Sequence, residues 1–114
     1  MTLPLLNDVE RTCLDRYVDL LVGRLGDDLV EVQVFGSVAR GESWPRGMPI
    51  RSDLDLLVVT RHDLAQDEKD ALIDATLPLF LECGRQISPA IVREVPASIA
   101  NAVAEHGVRV WPRE

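Results

Sequence analysis

Two apolar stretches limit the fold of this 114-residue chain more than any other feature. The first, "LVEVQVF" at 29–35, alternates: Val30, Val32 and Val34 point one way, Glu31, Gln33 and Phe35 the other. That is the period of a half-buried strand. The second, "DLDLLVVT" at 53–60, is apolar on both faces after Asp55, as expected of a strand at the centre of a sheet. A central strand needs neighbours and cover, and the rest of the chain must supply them.

The flanking segments can do so. Asn7, with Glu10 three residues on, predicts a capping box at the start of a helix. Val9, Cys13, Tyr17, Leu20 and Leu21 then form one apolar face through about Leu25. A second helix is predicted from about Asp63 to Glu82, with Ala71, Leu72, Ala75 and Leu79 inside and Gly84 as its stop. Pro78 predicts a kink in it, or a break after Ala75. "QISPAIV" is a third strand, which Pro89 confines to a sheet edge or a bulge. A short helix from about Ala97 to Glu105 ends at Gly107, and "VRVW" is a last strand. The order α-β-β-α-β-α-β predicts one α/β domain spanning 1–114, with helices packed on a mixed sheet. The relative direction of the first two strands is left open by the pattern.

The net charge of −7 argues against a stand-alone nucleic-acid binder, which needs Lys and Arg to displace phosphate counterions. Aromatic residues, at 4%, are too few for a base-stacking platform. An acidic balance suits a small-molecule enzyme that recruits metal ions, or a module that docks a basic partner. No apolar run approaches the length of a bilayer span, and "MTLPLLNDVE" lacks the basic-then-apolar order of a signal peptide. Cys13 and Cys83 have no metal-ligand spacing and are expected as reduced thiols in a cytoplasmic protein.

The chemistry is expected where the two strands meet the loop between them. Asp53 and Asp55 are one residue apart on a strand, so their carboxylates leave the same face about 7 Å apart. Like charges that close favour a cation between them, and a hard divalent ion such as Mg²⁺ takes oxygen ligands and substrate phosphates together. In "VFGSVARGES", Gly36 and Ser37 follow the first strand at once. Glycine lets backbone approach a ligand, and serine offers an amide N–H and a hydroxyl to phosphate oxygens. Arg40, and behind it Arg46 or Arg51, would add positive charge against a triphosphate. Singly these are ordinary features; together they are specific.

With "VFGSVARGES" followed by "RSDLDLLVV", the chain resembles the nucleotidyltransferase superfamily of DNA polymerase beta, and within it the minimal nucleotidyltransferases. The resemblance extends to the leading helix and to the tail "IANAVAEHGVRVW". It implies antiparallel pairing of the first two strands and Mg²⁺-dependent transfer of a nucleoside monophosphate from an NTP, ATP or another, to a hydroxyl. By the same resemblance, Gly36 and Ser37 would bind phosphates, and Asp53 and Asp55 would bind metal and serve as the catalytic acids. The acceptor it implies is a protein partner, a HEPN-type helical toxin for which the nucleotidyltransferase is the antitoxin, and an oligomer is compatible with it.

Two departures from that pattern stand out. "WPRGMPIR" lengthens the loop between the Gly-Ser turn and Asp53, and loops accept insertions at low cost. Trp44 within it would cover either the nucleotide or the core. Active members also carry a third carboxylate on the next core strand, and here that strand is "ISPAIV". Ser88 is the best positional match and Ala90 the alternative, with Glu82 and Glu94 flanking. The rival expectation is therefore a binding module that keeps the fold and neutralises a partner by docking.

Overall fold

The computed structural model of the chain describes residues 6–36 and 53–112. The capping box forms as expected: the Asn7 side chain accepts from the Glu10 amide at 2.8 Å, and the Asn7 amide donates to Glu10 Oε1 at 3.1 Å. From it runs helix α1, Asp8–Leu25, which buries Cys13, Leu14, Tyr17, Val18 and Leu21. The predicted face is corrected at one end. Val9 is solvent-exposed, and the buried residue of that turn is Glu10. The cause is electrostatic, because Arg85 Nε lies 2.6 Å from Glu10 Oε2 inside the protein. A carboxylate with a buried guanidinium to meet turns inward, where a valine would leave that charge facing apolar atoms.

Strand β1, Leu29–Phe35, pairs antiparallel with β2, Leu54–Thr60, and places Phe35 opposite Asp55. The register shifts between Leu29 and Glu31. This bulge turns Val30 outward, so the inward residues are Leu29, Val32 and Val34, and the expected inward Val30 is corrected. Strand β3, Ile87–Val92, runs parallel to β2, and β4, Val108–Trp111, runs antiparallel to β1. The sheet order is β3-β2-β1-β4. Pro89 therefore sits on an edge strand, where its missing N–H leaves no ladder partner wanting.

The crossover from β2 to β3 is helical. The expected single helix is broken in two, α2 at Gln66–Asp74 and α3 at Thr76–Cys83, with Ala75 between them. Pro78 explains the joint: in the first turn of α3 its lack of an N–H costs nothing, whereas inside one continuous helix its ring would strike the carbonyl of Asp74. Leu72, Thr76 and Leu79 point inward, and Ala71 faces solvent instead. Gly84 ends α3 in the left-handed conformation, φ 73°. The last helix, α4, spans Ala97–His106.

Helices α1, α2 and α3 cover one face of the sheet, over Val32, Val34, Leu54, Leu56, Val58, Ile87 and Ile91. The Tyr17 hydroxyl donates to the Leu72 carbonyl at 2.8 Å, tying α1 to α2 within that core. The opposite face carries Gln33, Phe35, Asp55, Leu57, Ser88 and Ala90, by the alternation of the strands. At its edge Gly107 follows α4 so closely that a Cβ there would overlap the Gln33 side-chain oxygen.

Candidate functional site

The two acids of "SDLDLL" arrive on that second face because the residues between and after them are claimed by the core. Leu54 is fully buried, its amide donating to the Gln86 carbonyl at 2.8 Å, and Leu56 is buried beside it. The period of two then leaves Asp53 and Asp55 no choice of side. Asp53 is exposed just before β2 begins; Asp55 is half-buried within it.

The structure brings two further predicted residues to this pair. Gly36 adopts φ 78°, and a Cβ on it would overlap the Asp55 carboxylate. Glycine is thus required here twice, by its backbone conformation and by the carboxylate against it. On the other side, Ser88 is the register partner of Asp55, and its hydroxyl donates to Asp53 Oδ2 at 3.0 Å. Of the two third-strand candidates Ser88 is the one at the acids, while Ala90 lies a row away, opposite Leu57.

The flanking glutamates are elsewhere. Glu82 forms an ion pair with Arg16 on the helical layer, and Glu94 follows the far end of β3 beside Arg93. Ser37, Arg40, Arg46, Arg51 and Trp44 lie outside the described residues. No group of three or more His, Cys, Asp and Glu side chains that could hold a metal occurs among the described residues. Asp53 and Asp55 are nonetheless an all-oxygen pair of the kind Mg²⁺ accepts, since that ion keeps several waters and completes its shell with substrate phosphates. The donor set fits.

Behind the site is an arrangement only half legible in the sequence. The Glu10–Arg85 pair is buried, with side-chain exposures of 1% and 4%. Arg85 precedes Gln86, which holds Leu54, and stands three residues before Ser88. The capping-box pattern marked Glu10, but no local pattern marks Arg85 as its partner. The two thiols meet nearby: desolvation foremost, then the neighbouring Cys83 thiol, pushes Cys13 up to about 11. Both cysteines are free, as expected.

Residues 19–107 match the family described as nucleotidyltransferase domain. A protein of Methanocaldococcus jannaschii, provisionally assigned as a protein adenylyltransferase, is 32% identical over 90 residues. That match takes in 77% of this chain and 58% of the relative, so the chain spans little more than half the relative's length. Among solved structures, one provisionally described as a minimal nucleotidyltransferase is 27% identical at a TM-score of 0.59, covering 90% of this chain and 95% of that one. Another is a complex of tri-AMPylated Shewanella oneidensis HEPN toxin with MNT antitoxin, 16% identical at a TM-score of 0.61. It covers 90% of this chain and 72% of the other, and at that identity it shows a shared fold. By sequence and by fold, the chain belongs to the nucleotidyltransferase domain family.

Proposed function

We propose that the chain binds an NTP with Mg²⁺ and transfers its nucleoside monophosphate, AMP in the favoured case, to a hydroxyl of a partner protein. The observation that carries this reading is the row Gly36, Asp55, Asp53 and Ser88. Two carboxylates share one face, a glycine is pressed against one of them and a hydroxyl is bonded to the other. Asp53 and Asp55 would hold Mg²⁺, which when bound neutralises phosphate charge and polarises the phosphorus–oxygen bonds. Gly36, with Ser37 and Arg40 after it, would take the phosphates. Ser88 fixes the Asp53 carboxylate by donating to Oδ2. The acceptor hydroxyl forms the new bond to the α-phosphorus, pyrophosphate leaves, and the proton passes to water, because a serine at the third position is a poor base.

The partner proposed is a HEPN-type helical toxin, with this chain as its antitoxin in the cytoplasm. The support is the fold shared with the MNT antitoxin complex and the similarity to a provisionally assigned protein adenylyltransferase. A second reading has its own observation. With Ser88 where active relatives are expected to carry an acid, the fold would also serve a module that neutralises its partner by docking alone.

Incubation with labelled ATP, Mg²⁺ and the neighbouring-gene product, comparing wild type with Asp53→Asn, separates the two. Label on the partner that disappears in the variant supports transfer. Absence of label from a complex that both versions form would leave docking as the function.

A further inference from the structure

The helical layer carries a surface that the site does not use. On α2 and α3, Ile73, Leu77, Phe80 and Leu81 are 43%, 57%, 38% and 77% exposed. Their spacing of four, seven and eight residues from Ile73 is one helical stripe, and Ala75 keeps right-handed helical angles across the joint, so the stripe continues past it. Together they show roughly 400 Å² of apolar side chain, within the range of the largest apolar patch on a soluble monomer, which is often a functional one. The same outward face is acidic. Asp70 and Asp74 are exposed along it, and the two helices contain only one basic residue, Lys69.

We infer that this stripe docks a partner protein through an apolar helix face rimmed by Lys and Arg. Charge selects that occupant. A second copy of this chain would bring the same acidic rim against itself on a chain of net charge −7, and like charges face to face oppose docking. A basic-rimmed partner turns the same acids into attraction and faster encounter. The patch is smaller than a standard interface contributes per partner, so it would form the dry centre with the acids as its rim. It lies on the helical layer, across the sheet from Asp53, Asp55 and Ser88, so holding a partner and modifying it use different surfaces.

This inference rests on the reading that the chain works with a protein partner, and the experiment separates the two. The chain is co-purified with the neighbouring-gene product as wild type, Leu77→Glu and Leu81→Glu, and each affinity is measured at low and high salt. Both side chains are exposed, so circular dichroism and the melting temperature are expected to be unchanged. The expected result is a loss of affinity of about thirtyfold or more in each variant. Wild-type binding weakens with salt, and ATP binding in the absence of partner is equal in all three. A complex unaffected by both substitutions overturns the docking surface while leaving the partner reading intact. No complex with the wild type overturns both. Wild-type self-association that Leu81→Glu abolishes assigns the stripe to a second copy and overturns the proposed occupant.

Discussion

Glu10 is a residue outside the site whose removal should be costly. It performs two tasks with its two oxygens: Oε1 accepts from the Asn7 amide, and Oε2 pairs with Arg85 at 2.6 Å. Removing one member of a buried pair costs about 3–5 kcal/mol, because the other charge stays in a poorly solvated place. Arg85 is in such a place, with 4% of its side chain exposed. Loss of the bond from the Asn7 amide to Oε1 adds about 1 kcal/mol, partly overlapping. We therefore expect Glu10→Ala to lose about 4 kcal/mol, a large fraction of the roughly 5–15 kcal/mol that holds a domain together. The melting temperature should fall by roughly 20 °C. Urea unfolding followed by circular dichroism gives the number, provided the slope is unchanged. Two further variants divide the effect. Asn7→Ala removes only the side-chain cap bond accepted from the Glu10 amide and should cost about 1 kcal/mol. The double variant Glu10→Leu/Arg85→Met removes both charges and should recover most of the loss. A cost below about 1 kcal/mol for Glu10→Gln, or a double variant as unstable as Glu10→Ala, would refute the claim that an unmatched buried charge dominates.

Gly36→Ala should cost about 1–2 kcal/mol from its positive φ alone. It should also weaken Mg²⁺ and ATP binding more than its stability loss explains, since the new methyl overlaps the Asp55 carboxylate; calorimetric titration reads this. Ser88→Asp should raise labelling of the partner if the third position limits transfer, whereas Ser88→Ala should lower metal affinity by freeing the Asp53 rotamer. For the thiols, a Cys13 pKa near 11 leaves only about a thousandth of it as thiolate at pH 8. A chromogenic disulfide reagent should then modify Cys83 first and Cys13 only as the protein unfolds; equal rates in the native state would refute this.

Strand and helix order, the break before Pro78 and the stop at Gly84 were legible because each follows from local sterics: side-chain period, a missing N–H, a left-handed position only glycine fills comfortably. The acids of the candidate site were legible for a similar reason, since one intervening residue on a strand settles that two side chains share a face. Val30 and Val9 were misplaced because neither position is decided locally. Val30 turns out at a bulge created by pairing with β2, and Val9 gives way to Glu10 because a guanidinium 75 residues later needs its carboxylate.

By itself, then, the sequence determined the elements, the paired acids and the glycine that precedes the long loop, all written in spacing of a few residues. Only the tertiary structure decided that Gly36 is pressed against Asp55, that Ser88 and not Ala90 reaches Asp53, and that Glu10 is buried. Each of those is a contact between distant segments. Its energy comes from excluded volume, a hydrogen bond or a desolvated charge, and none of these exists until the strands and helices have met.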